Sequence, residues 1–193
     1  MIRGFATNRI LLVIDGVRMN NAIYRSGNLQ NIISIDALGT QTAEVIFGPG
    51  SLIYGSDAIG GVMDFHSLNA GFSKDKKMLV SGSALARYST ANKENTFHAD
   101  INLGFKRWSL LSSVTYSKFD DLKMGKHGGQ SSYLRPEYVE RINGIDSIVK
   151  NSNSRIQRFS GYEQINFLQK IRYKPTEHFD IQYSFTYAGT GNA

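Results

Sequence analysis

Hydrophobic positions follow two different rules on either side of a polar stretch, SLNAGFSKDKK, at residues 67–77. Downstream, apolar and polar residues alternate. In FHADINLGFK, Phe97, Ala99, Ile101, Leu103 and Phe105 share one face, and His98, Asp100, Asn102, Gly104 and Lys106 share the other. WSLLSSVTY sets Trp108, Leu110, Val114 and Tyr116 against Ser109, Ser113 and Thr115. QINFLQKIRY sets Ile165, Phe167, Ile171 and Tyr173 against Gln164, Asn166, Lys170 and Arg172. FDIQYSFTY sets Phe179, Ile181, Tyr183, Phe185 and Tyr187 against Asp180, Gln182, Ser184 and Thr186. A weaker alternation in LVSGSALARY opposes Val80, Ala84, Ala86 and Tyr88 to Ser81, Ser83 and Arg87. Successive strand side chains point to opposite faces, so this texture predicts five amphipathic strands. Tight turns are expected around Lys106–Arg107 and KPTEH (174–178), and a long polar loop over about 120–161.

Upstream, apolar residues come in blocks. RILLVIDGVRMN reads as a buried strand ending at the Asp15-Gly16 turn. NLQNIISIDAL (28–38) predicts a short helix with Asn28 as N-cap. TAEVIFGPG reads as a strand stopped at Gly48-Pro49-Gly50, and GGVMDFHS as another. This half is expected to be a small α/β unit.

Alternation alone fits a soluble β-sandwich with its apolar face inward or a membrane barrel with that face outward. Two features favour the barrel. Connections are short at one end of the strands and long at the other. Aromatics gather at two levels: Phe105, Trp108, Tyr173 and Phe179 by the tight turns, and Tyr88, Phe97, Tyr116 and Tyr187 towards the other end.

Composition narrows the classes. Net charge is +6 over 193 residues, without the dense basic clustering of a nucleic-acid binder. There is no cysteine, hence no disulfide or thiolate metal site. No apolar run approaches a membrane helix, and MIRGF shows no signal-peptide h-region. Glycine (19), tyrosine (10) and phenylalanine (11) against three prolines suit β-structure.

Candidate chemistry is sparse. His66, His98, His127 and His178 show no metalloprotease spacing, and no serine sits in a nucleophile elbow. GPGSLIYGSDAIGG (48–61) lacks the lysine of a P-loop and the glycine spacing of a dinucleotide fingerprint. Asp120, Asp121, Glu137, Glu140 and Asp146 lack EF-hand spacing. No enzyme activity, cofactor or metal site is expected. The lumen-side bases Arg87, Lys106, Lys170 and Arg172 can steer anions or pair with carboxylates.

The upstream words IRGF (2–5), NRILLVIDGVRMNN (8–21) and EVIFGPGSLIYGSDAIGGVMDF (44–65) resemble the plug domain of TonB-dependent outer-membrane receptors. Their order is similar to the later part of such a plug, followed by the first barrel strands. Within the family the chain is similar to the cobalamin and colicin-I type, and DDLKMGKHGG resembles loops of Bacteroidetes receptors. One departure is visible: Phe47 stands where the family commonly has arginine before GP.

The resemblance implies a mainly β fold. Residues 1–69 would be a partial plug, and 70–193 the first five antiparallel strands of a roughly 22-stranded transmembrane β-barrel with a plugged lumen. The long loop would face outward, and the chain would be a fragment of a longer receptor. The implied function is energised uptake of a large scarce nutrient (ferric siderophore, haem or cobalamin) across the outer membrane of a Gram-negative bacterium. The implied partners are the energy-transducing TonB protein, the bilayer with its lipopolysaccharide, and the metal-chelate, haem or corrinoid ligand. A passive porin or adhesin barrel and a soluble binding module are the competing readings.

The resemblance also assigns roles. Gly48, Pro49, Gly50, Gly55, Gly60 and Gly61 would form tight plug reversals, where glycine permits positive φ and close approach. Arg18, Asn20, Asn21, Tyr24, Arg25 and Ser26 follow the Asp15-Gly16 turn and match an outward plug segment that would touch ligand. His127 in the long loop is a candidate contact to haem iron.

Overall fold

A computed structural model describes residues 10–19, 35–48, 53–55, 58, 60–75, 77–125 and 133–192. In the upstream part these form strands β1 (Leu11–Ile14), β2 (Val17–Arg18), β3 (Thr40–Ile46) and β4 (Val62–Ser67). They make one mixed sheet in the order β2-β1-β4-β3, in which β1 and β4 are parallel. Asp15 and Gly16 have φ of 48° and 80°, the pair of positive values a two-residue hairpin between Ile14 and Val17 demands. Leu11, Val13, Ala58 and Val62 form the core, flanked by Ile46 and Tyr54.

The expected helix over 28–38 is not found where it can be seen: Ile35, Ala37 and Leu38 are bends and Asp36 is irregular. The Asp36 side chain takes the Leu38 N–H at 3.0 Å, and the Thr40 hydroxyl donates to the Asp36 carbonyl at 2.7 Å. Such local bonds offer the backbone an alternative to helix. Residues 28–34, Asn28 included, lie outside the described residues, among which the upstream unit shows strands and turns and no α-helix.

Downstream come β5 (Leu79–Ser89), β6 (Glu94–Gly104) and β7 (Trp108–Phe119). The long connection holds β8 (Leu122–Lys123), β9 (Glu137–Ile142), β10 (Ile145–Lys150) and β11 (Ile156–Gln157), followed by β12 (Tyr162–Thr176) and β13 (Phe179–Asn192). The five long strands form an antiparallel meander, β13-β12-β7-β6-β5. The expected loop is instead a built arm. The β8–β11 pair stands at its base, and the β9–β10 hairpin turns at Asn143-Gly144, with φ of 50° and 84°. Asn-Gly between alternating Ile and Val is a hairpin signal that "polar stretch" overlooks.

Burial on the meander is inverted relative to a soluble sheet. Thr96, Ser113, Thr115 and Lys170 are 1–3% exposed, whereas Phe97 is 57%, Trp108 51% and Tyr187 54% exposed. The apolar row faces away from the rest of the molecule, and on β6, β7 and β12 the polar row is covered by the upstream sheet and its linker. Trp108 and Tyr173, a register pair on the apolar face by the tight turns, stack with centroids 4.1 Å apart. Their place suits an interfacial aromatic girdle.

Candidate functional site

The covered face of the meander grips the upstream unit at three levels. By the tight turns, Asn102 pins the linker, accepting from Gly71 N–H at 2.9 Å and donating to Gly71 C=O at 3.2 Å. Midway, Leu111 and Leu168 interrupt the polar row and pack on Ala70 and Leu68. Beside them Lys170, fully buried, sets its Nζ 3.1 Å from Asp15 and 3.4 Å from the Ser67 carbonyl. Burial alone would raise the Asp15 pKa. Hydrogen bonds from the Ser67 hydroxyl and N–H, with the Lys170 charge, outweigh it and hold Asp15 below the ordinary carboxylate value.

At the arm end, Asp36 rises to meet the wall. Its Oδ2 accepts from the Thr115 hydroxyl at 2.7 Å, and His98 Nδ1 lies 2.7 Å from the same hydroxyl. The Thr115 proton goes to a carboxylate, so the hydroxyl oxygen is the acceptor for Nδ1–H. His98 Nε2 lies 3.4 Å from Asp100. Above this relay opens a cleft of about 200 Å³ between Ile35–Leu38 and the wall, lined by Arg87, Thr96, Ser117, Gln164 and Asn166. Phe119 and Tyr162 close its rim, stacked at 4.6 Å. A polar-walled cleft with an aromatic rim suits binding, and no three potential metal ligands converge among the described residues.

The residues singled out from sequence disperse. Arg18 is exposed on β2, and a Cβ at Gly55 would sit 3.5 Å from its guanidinium. Asn20, Asn21, Tyr24, Arg25, Ser26, His127, Pro49 and Gly50 lie outside the described residues. Gly48, Gly55 and Gly61 have φ of 65°, 94° and 128°, and Gly60 is a buried turn residue. Gly61 is the tightest, since a Cβ there would lie 2.9 Å from the Ile46 carbonyl oxygen. Phe47, in place of the arginine, packs its ring edge at that same point.

The lumen-side bases mostly find carboxylates. Arg87 pairs with Glu94 and Arg172 with Asp180, each across its own hairpin, while Lys170 pairs with the plug-side Asp15. Lys106 is exposed in the β6–β7 turn. The loop acids serve the arm: Asp120 binds Lys93, Asp121 caps the N–H groups of Ser160 and Gly161, and Asp146 faces Arg141. Asp36, His98, Thr115, Asn102, Leu111 and Leu168 had not been singled out as site residues. For the two leucines a signal existed, because each breaks an otherwise polar row.

The TonB-dependent Receptor Plug Domain family model matches residues 1–62. The strands that follow bury their polar row against that segment. Residues 1–62 therefore carry a TonB-dependent receptor plug domain. The chain is 34% identical to a vitamin B12 transporter of Vibrio vulnificus strain YJ016, over 86% of its own length and 30% of that protein. It is 42% identical over 69 residues to the heme/hemopexin utilization protein C of Haemophilus influenzae, covering 36% of this chain and 9% of that one. Its fold matches a double mutant of the ferric enterobactin receptor of Pseudomonas aeruginosa with a TM-score of 0.63 at 17% identity, over 99% of this chain and 26% of that structure. The chain thus spans less than a third of the length of these relatives.

Proposed function

We propose that the chain works in TonB-dependent active uptake of a large nutrient across a Gram-negative outer membrane. Residues 1–69 act as plug, and 70–193 as one sector of a closed barrel completed by further strands. Five strands leave two open edges, which only closure removes. The observation that carries the reading is the inverted burial: an apolar row left exposed, and a polar row covered by an upstream segment of the same polypeptide.

Ligand binds from the arm side, with Arg18, Asn20, Asn21, Tyr24, Arg25 and Ser26 of the plug as candidate contacts. Energised TonB then remodels the plug. Transport asks for no covalent chemistry and no resident cofactor. The names of the relatives leave a corrinoid, haem or a ferric siderophore as candidates, and the vitamin B12 transporter favours the cobalamin-type branch. The test is nutrient uptake by cells carrying the full-length receptor, with and without a functional TonB. Uptake should vanish without it; uptake that persists would mark a passive pore.

A further inference from the structure

The β9–β10 hairpin of the arm has one anchored face and one free face. Tyr138, Glu140, Ser147 and Val149 share the anchored face and are half-buried, with Tyr138 edge-on to Phe159 at 5.6 Å. The free face carries Glu137, Val139 and Arg141 on β9, in register with Lys150, Ile148 and Asp146 on β10, and all six are exposed. Val139 and Ile148, opposed at its centre, are 59% and 74% exposed. Arg141 and Asp146 come no closer than 3.9 Å, and an exposed pair at that spacing adds little. A two-stranded hairpin by itself is marginally stable and gains from further packing. The charges on the free face form a checkerboard: acid, aliphatic, base along β9, and beside them base, aliphatic, acid along β10. Such a pattern is its own complement. About a two-fold axis along the strands, Glu137 meets the partner's Lys150, Arg141 meets the partner's Asp146, and Val139 meets the partner's Ile148. About an axis across the strands, Glu137 meets the partner's Arg141, Lys150 meets the partner's Asp146, and each aliphatic residue meets its own copy. Opposite charges face each other either way, as an isologous contact requires.

We propose that this face docks a second copy of the chain, arm to arm, with Val139 and Ile148 as the apolar centre and the four charges as a rim that sets the register. Six residues of strand at about 3.4 Å each, two strands wide, give a face of roughly 200 Å² per copy. That is about a quarter of the area each partner brings to a standard stable interface. The contact is therefore transient, and forms between copies that one membrane holds at a common height, which raises their effective concentration. It goes beyond the uptake reading and rests on it only for the membrane that aligns the two arms.

The test is thiol cross-linking of the full-length protein in the membranes of cells that express it, with Ile148→Cys as the probe and any cysteine elsewhere replaced by serine. Val139→Cys is the second site, should the first variant fail to assemble. Under either axis the two Ile148→Cys positions lie roughly 10–11 Å apart, given the spacings of stacked sheets and of paired strands, within reach of a short bismaleimide. A species of doubled mass should form. A further variant reverses all four charges: Glu137→Lys, Arg141→Glu, Asp146→Lys and Lys150→Glu. It keeps every cross-strand pair of the hairpin, so it should link to itself as the parent does. Against a differently tagged parent it sets like charge on like, and the mixed species should be at least about fivefold scarcer than either self-linked one. A reactive thiol that yields no doubled species would overturn the proposal. So would a thiol shielded in the monomer, which would place another segment of the same chain on this face, or mixed species as abundant as the self-linked ones. Linking is read without ligand or TonB, so its outcome is decided separately from that of the uptake assay.

Discussion

Replacing Ile101 by arginine puts the orientation of the wall to a quantitative test. Ile101 lies on the outward row of β6, midway between the aromatics Phe97 and Phe105, and is 46% exposed. Four residues at about 3.4 Å each give roughly 14 Å along the strand to either aromatic, or about 10 Å of height at a tilt near 45°. An apolar band about 25 Å tall is therefore centred on this residue. An arginine at such a midplane costs about 2–4 kcal/mol, roughly 30- to 900-fold in the unfolding equilibrium. The control is Ser81→Arg. Ser81 faces the lumen on β5 in register with Asn102, one step from the same level, and should tolerate the change within about 0.5 kcal/mol. Asn102 itself is no control, because it holds both polar atoms of the Gly71 backbone. The assay is denaturant unfolding of the full-length receptor in phosphocholine vesicles, followed by tryptophan fluorescence. Equal losses at the two positions, or none at Ile101, would refute the facing and with it the membrane reading.

The other predictions concern the grip on the plug. Asp15→Asn leaves the buried Lys170 ammonium without its counter-charge and should destabilise plug seating by about 3–5 kcal/mol; replacing both residues by apolar ones should recover much of that, read by hydrogen exchange over residues 62–68. The folded Asp15 pKa lies below its ordinary 3.8, so its contribution is complete above that pH and fades as pH falls through the lower folded value. The gap in melting temperature between the parent and Asp15→Asn should hold at pH 5–7 and close in stronger acid; a gap that widens on acidification would contradict the sign. Gly61→Ala should cost more than Gly48→Ala in the same unfolding assay. Both require positive φ, but at Gly61 the added Cβ meets the Ile46 carbonyl oxygen, whereas at Gly48 it meets open space.

The strands themselves were legible in the sequence, and so was their two-sidedness. A period of two needs only the order of residues, and β6, β7, β12 and β13 each carry an apolar and a polar row that can be read by counting. The turn at Asp15-Gly16 was legible for the same reason, since a tight turn is set by the φ its own residues tolerate. The direction each row faces was not. Periodicity is identical for a sheet packed inward and a sheet turned to lipid, and only the plug lying on the polar row breaks that symmetry.

Nor does order along the chain reveal partners far apart in it. Asp15 meets Lys170, Asp36 meets Thr115, and Gly71 meets Asn102 because the meander carries those positions past the plug at fixed heights. The chemistry of each residue was present from the start. Which charges are spent on one another follows from distances that exist only once the chain has closed on itself.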